Sequence, residues 1–207
     1  MKIWVLIKKD ISLCPQWIIA GIVLTLLAPV YFLYMSDLNE LLLEPVFLIS
    51  ALFGCNIAIS RICYIEDNYE TQKLLNSMPI SKYELVFSRY IEGLALIIIL
   101  ILLVIINENF ILDGNLDFDN SLMFFSIGLM FEGLYLFFFY KWGANIAQYA
   151  LVALMAILGM AYLIIEKLDI SLGRTSITME IDIIFAVAGL TTYIVSALMS
   201  CKCYKSI

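Results

Sequence analysis

Apolar residues run through the chain in six blocks separated by short polar connections. Five blocks are long enough to cross a bilayer as a helix: about Trp17 to Met35, Pro45 to Tyr64, Leu122 to Tyr140, Ala144 to Ile165 and Ile183 to Ser200. Pro29 lies inside the first and predicts a kink. The remaining block needs an argument. Its charge-free run from Gly93 to Asn107 holds 15 residues. At about 1.5 Å per residue that reaches roughly 22 Å, short of a hydrocarbon core of about 30 Å. This third span must therefore begin earlier. That draws Glu92 about one turn into the membrane, and Arg89, three residues back on the same face, is placed to pair with it.

Ahead of the first block, Trp4, Ile7, Ile11 and Cys14 recur at helical spacing, with Lys2, Lys8 and Lys9 mostly off that stripe. The pattern predicts an amphipathic helix over 1–15, lying in the membrane interface and ended near Pro15. A plain extension of the first span is the simpler reading. Lys8, Lys9 and Asp10 cut the apolar run too early for a secretory signal.

The connection between spans two and three, residues 66–80, carries the densest local signals. Asp67 followed by Glu70 can cap a short helix bearing Tyr69, Lys73, Leu74 and Leu75, and Met78-Pro79 closes it. Ser81 and Glu84 form an S-x-x-E capping box that opens span three, with Ile80 and Leu85 at the staple positions. The prediction is a short amphipathic helix held rigidly between two spans and presented to a cytosolic partner. An ordinary well-capped turn would use the same residues.

Composition narrows the function classes. Of the 207 residues 63% are apolar and 14% charged, against roughly a quarter charged in soluble domains, and the mean hydropathy is +0.99. A soluble enzyme, a nucleic-acid binder and a disordered chain are excluded. The fold predicted is an all-α membrane protein, one transmembrane domain over 1–207 with six spans. Histidine is absent, which removes Ser/His catalysis, bis-His haem and His-rich metal sites. No phosphate-binding G-x-x-x-x-G-K-[ST] motif is present, so the chain does not hydrolyse ATP alone. It is expected to be no enzyme and to carry no cofactor of its own.

Charge sets the orientation. Ten of the 12 cations, Lys2, Lys8, Lys9, Arg61, Lys73, Lys82, Arg89, Lys141, Lys202 and Lys205, fall on the side shared by both termini. Only Lys167 and Arg174 fall on the other. By the positive-inside rule both termini are cytoplasmic in a multi-pass cell-membrane protein. Eleven of the 18 acids lie in the outer connections. Asp113, Asn115 and Asp117 there resemble a calcium loop, but Phe118 and Phe124 occupy its glycine and glutamate places. The five cysteines predict no disulfide framework, and Cys201-Lys-Cys203 is too small a donor set for a metal site.

Glu132 is the one acid deep inside a span. It is a candidate proton or substrate contact, or a hydrogen-bonded lock between helices, with Gly128 and Gly133 allowing close approach. The lock is the favoured reading.

At residues 66–89 the sequence resembles the ABC-2 family of ABC-transporter permeases. It is most similar to the small six-span type of phenol-soluble-modulin exporters and bacteriocin-immunity or multidrug permeases. The residues that carry the resemblance are Glu66-Asp67, Leu74-Leu75, Ser77-Met78-Pro79-Ile80-Ser81 and Arg89, with Lys9-Asp10 in the interface helix. Lys82 stands where the family often has arginine. The resemblance implies an exporter half whose short helix couples to a separate cytosolic ATPase. That ATPase binds the ATP, and a second identical or different permease completes the transporter. It implies amphipathic or hydrophobic cargo: a peptide, antibiotic or lipid-like molecule. The coupling residues would be Tyr69, Glu70, Lys73, Leu74, Leu75 and Met78. A vitamin-binding S-component of an energy-coupling-factor importer is the alternative, with Ala20-Gly21 as its scaffold-docking small residues. An intramembrane enzyme is a more distant one.

Overall fold

A computed structural model of the chain describes residues 2–35, 40–68, 71–73, 80–112, 118–167 and 179–204. The elements are α1 (Lys2–Leu13), α2 (Pro15–Met35), α3 (Glu40–Glu66), α4 (Lys82–Leu112), α5 (Phe118–Trp142), α6 (Ala144–Lys167) and α7 (Met179–Cys203). Among the described residues all of these elements are helices. Five of them, α2, α3, α4, α5 and α7, are long and apolar enough to cross a membrane. In α6 the qualifying apolar stretch is the shorter Ala144–Ala156. The chain is thus an all-α multi-pass membrane protein, with five helices among the described residues that qualify as crossing by length and composition, and the remaining expected span falls on α6.

Local chemistry explains the boundaries. Pro15 has no N–H to give, so the chain breaks at Cys14 and restarts with proline in the first helical turn. The Cys14 carbonyl then accepts from the N–H groups of Trp17 at 3.2 Å and Ile18 at 3.3 Å. At the start of α4 the capping box forms in both directions. Glu84 N–H donates to Ser81 Oγ at 3.2 Å, and Ser81 N–H donates to Glu84 Oε2 at 2.9 Å. This gives α4 31 residues, the early start that the short charge-free run required. Helix α2 continues through Pro29 without interruption. Between α5 and α6, Gly143 takes φ +92°, the left-handed conformation that closes a helix at lowest cost in glycine.

Helix α4 is the hub, packing against α1, α2, α3, α5 and α7. Around it stand two tight pairs, α2 with α3 and α5 with α7. Small residues set both. A methyl added at Gly21 would lie 2.5 Å from the Gly54 carbonyl oxygen, so the α2 and α3 backbones nearly touch there. Across the pair, Thr25 Oγ1 donates to the Ser50 carbonyl at 3.4 Å, and Ser50 Oγ donates to the Thr25 carbonyl at 3.5 Å. In the second pair, Gly189 sits over the Ser126 backbone and Ser196 Oγ donates to the Gly133 carbonyl at 2.5 Å. Apolar association gains little between helices already in lipid, so close backbone approach and hydroxyl bonds do this work. The outward faces of α2 and α7 carry Ile19, Val23 and Leu27, and Ile184, Ile194 and Leu198, as lipid-facing surface should.

The glycine contact yields a test. Gly21→Ala should lower stability by about 1–3 kcal/mol, because backbone cannot yield as a side chain can. Gly128→Ala, whose methyl would meet Ile97 at 3.4 Å, should stay near wild type. Thermal unfolding of both purified variants checks the contrast.

Candidate functional site

Helix α1 buries Leu6 and Asp10, and Cys14 just past its end continues the row at the same spacing of four. This inward row is distinct from most of the apolar stripe. Trp4 and Ile11 are 71% and 52% exposed and point away from the bundle. The inward ridge is the neighbouring one, because a partner in α4 draws the carboxylate of Asp10 inside.

That partner is Arg89, 3% exposed. Its Nε donates to Glu66 Oε2 at 2.7 Å, and its Nη2 bonds the same oxygen. Its Nη1 donates to Asp10 Oδ2 at 2.8 Å and to Glu92 Oε2 at 2.6 Å. Lys9 Nζ stands 3.2 Å from Asp10 Oδ1 at the rim. One guanidinium thus joins α1, the last residue of α3 and one face of α4. A planar fork of fixed donors can meet three carboxylates at once, which an ammonium on a flexible stem cannot.

The pairing of Arg89 with Glu92 is the one expected from their spacing. Asp10 and Glu66 were missed as partners. The signal was present: both are acids at the ends of apolar segments, and a buried arginine needs more than one counter-charge. The carboxylates converge on the guanidinium, and among the described residues no acid or thiol cluster could hold a metal ion.

Asp67 takes a distant partner as well as a local one. Its Oδ2 accepts from the Ala144 N–H at 2.9 Å, and its Oδ1 from Gln72 Nε2 at 3.3 Å. It therefore caps α6 from across the bundle as well as bracing its own turn, which begins with Gln72 N–H donating to the Asn68 carbonyl at 2.9 Å. The first turn of α6 leaves amides without partners and attracts a carboxylate. Gly143 makes room, since a methyl there would lie 3.0 Å from Asp67 Oδ2. Beside the Arg89 cluster opens a polar cleft of about 340 Å³, lined by Glu66, Asp67, Gln72, Lys141, Trp142 and Tyr204 among others. Burial, and then the nearby Glu66, push the Tyr204 phenol above its ordinary range.

Of the six coupling candidates, Lys73 is exposed. Tyr69, Glu70, Leu74, Leu75 and Met78 lie outside the described residues. Farther along α4, Tyr90 OH bonds Ser196 Oγ at 2.6 Å and Ser200 Oγ at 2.8 Å, and Tyr193 OH donates to the Tyr90 carbonyl at 2.6 Å. This polar seam ties α4 to α7 next to the hub.

Glu132 is buried where α3, α4 and α5 meet. Its Oε2 receives only the Cys55 thiol, at 3.7 Å, and its Oε1 has no hydrogen-bond partner among the described residues. It does bridge two helices, as a lock would, through one weak donor. Gly93 gives it space: a methyl there would lie 3.2 Å from Glu132 Cγ.

The segments that hold Asp10, Glu66, Asp67 and Arg89 all fall within residues 5–205, which match the family model described as ABC-2 family transporter protein. The chain belongs to the ABC-2 transporter family. No curated protein and no solved structure matches it. In this ABC-2 protein the acidic pair after α3 and the arginine of α4, two separate parts of the sequence resemblance, are one bonded unit. Its partners are divided: Glu66 goes to Arg89 and Asp67 to the start of α6.

Arg89→Met should cost about 3–5 kcal/mol, because three buried carboxylates lose their counter-charge. Adding Asp10→Asn and Glu92→Gln to it should recover part of that loss. Thermal unfolding of the purified single and triple variants measures the difference.

Proposed function

We propose that this ABC-2 protein is the transmembrane subunit of an ATP-driven exporter in the cell membrane. Residues 66–80 would form its coupling segment, seated on a separate cytosolic ABC ATPase that binds and hydrolyses the ATP. Two permease subunits, identical or different, would pair with two ATPases. The chain itself would perform no covalent chemistry and hold no cofactor. Its cargo would be amphipathic or hydrophobic: a peptide, an antibiotic or a drug-like molecule. In this reading α6 is the sixth span and both termini are cytoplasmic. Lys141 and Lys202, which close α5 and α7 at the end that holds α1, support that orientation.

One observation carries the proposal. The 66–80 segment leaves α3 at Glu66, and Glu66 is bonded to Arg89 of α4. Arg89 also holds Asp10 of α1. A push on the segment by an ATPase would therefore reach the central helix and the interface helix through buried charge-assisted bonds rather than through a slack loop. The S-component alternative has less to stand on, because Gly21 packs inside the bundle against Gly54 and leaves Ala20 alone on the surface.

Two tests follow. Leu74→Asp with Leu75→Asp should leave membrane insertion intact and abolish ATPase co-purification and transport. A buried apolar side chain is worth about 1.5–3 kcal/mol, and a carboxylate in its place would be desolvated without a partner. Wild-type recovery of the ATPase would remove this segment as the docking site. Separately, a cysteine placed at Asp117 or Asp169 should react with an impermeant thiol reagent from outside, and one at Asn76 should not. Labelling at 76 would reverse the orientation.

A further inference from the structure

We infer that the polar cleft at the ends of α3, α5 and α7 is a docking site for an arginine side chain of the cytosolic ATPase, an inference that rests on the exporter reading. The cleft holds about 340 Å³. Its walls come from separate parts of the chain: Glu66, Asp67 and Gln72, then Trp142 at the end of α5, and Tyr204 just past α7. The first three belong to the 66–80 segment. A partner seated on that segment therefore has the cleft beside it, as part of the same surface.

Charge selects the occupant. Two carboxylates, Glu66 and Asp67, line the cleft against one cation, Lys141. Glu66 does not hold its counter-charge alone, because Arg89 is divided among Glu66, Asp10 and Glu92. Asp67 accepts from neutral donors, the Ala144 N–H and the Gln72 amide. Lys141 Nζ lies 4.2 Å from the centre of the Trp142 ring, so an aromatic face takes its charge. Two polar atoms of the inner wall add capacity for a donor. Glu66 Oε1 and Tyr140 OH, on residues 5% and 6% exposed, have no hydrogen-bond partner among the described residues. An anion is disfavoured here, because the first amide of α6, which would attract one, is taken by Asp67.

The rings select a guanidinium over an ammonium. Trp142, Tyr140 and Tyr204 all line the cleft, and Tyr204 stands edge-on to Tyr140 with ring centres 5.5 Å apart. A guanidinium is planar and weakly hydrated, and it stacks on rings while its five N–H groups reach separate acceptors. An ammonium is a compact, strongly hydrated charge. The same chemistry occurs elsewhere in this chain, where the Arg61 guanidinium lies 4.3 Å from the centre of the Trp17 ring.

The probe is butylguanidinium, which reproduces the arginine side chain, with butylurea as its neutral counterpart of similar shape. The purified full-length protein in lipid nanodiscs is treated with a maleimide. Modification of Cys203, which lines the cleft, is followed by mass spectrometry against Cys201. Butylguanidinium should slow modification of Cys203 about fivefold or more at saturation, and butylurea should not. Asp67→Asn can still cap α6 and should weaken this protection about tenfold, as loss of one charge-assisted bond requires. Lys141→Gln removes the competing cation and should strengthen it about two- to fivefold. Thermal unfolding checks that both variants are folded, and if Asp67→Asn is not, the direction of change in Lys141→Gln decides. Equal effects of the two probes, or unchanged protection in the folded variants, overturn the site whatever the ATPase does. In the complex with the ATPase that co-purifies, Cys203 should be protected without added probe, and butylguanidinium should lower ATPase recovery where butylurea does not. Unchanged recovery overturns the ATPase arginine as occupant and leaves the exporter reading standing, whereas failure to form any complex removes both.

Discussion

A guanidinium buried in an apolar bundle cannot stand without counter-charge, and that requirement organises one whole end of this molecule. Desolvating an ion costs several kcal/mol even after relaxation, so Arg89 gathers Asp10, Glu66 and Glu92 around it. Three consequences follow. Helix α1 is turned so that its acid faces inward and its tryptophan outward. The end of α3 is pinned against α4. The segment after α3 leaves from a fixed point, with Asp67 held in turn by the first amide of α6.

Away from the hub, small residues and hydroxyls decide how the helices pack. Gly21 against Gly54 and Gly189 against Ser126 bring backbones to near contact, and Ser196 and Tyr90 close the remaining gaps with hydrogen bonds. Between lipid-embedded helices there is little hydrophobic gain left to collect, so such contacts select which helices pair. The molecule is therefore two tight helix pairs around α4, linked at one end by charge and along α7 by hydroxyls.

The two ionic positions inside the bundle differ in a way that bears on function. Arg89 is satisfied from within the chain and behaves as a joint. Glu132 is buried with a thiol on one carboxylate oxygen and, among the described residues, no partner on the other.

The sequence by itself determined the membrane class, the helical fold and most of the helix boundaries. Apolar length, Pro15, the Ser81–Glu84 box and the shortness of the Gly93–Asn107 run act within a few residues, and local chemistry decides them. The Arg89–Glu92 pair was legible for the same reason, since residues three apart on a helix share a face. Tertiary structure alone decided the rest. Asp10 and Glu66 lie 79 and 23 residues from Arg89, and no spacing rule connects them. Asp67 reads as a local cap because its nearest amides are local, and only the fold brings the Ala144 amide of α6, 77 residues away, to its other oxygen. Gly21 looked like a docking surface until its partner, Gly54, was in place. Glu132 was legible as an anomaly from its depth in an apolar run. That its Oε2 meets the Cys55 thiol while its Oε1 has no hydrogen-bond partner among the described residues could appear only once the helices had closed around it, because partnering is a property of the surroundings and not of the residue.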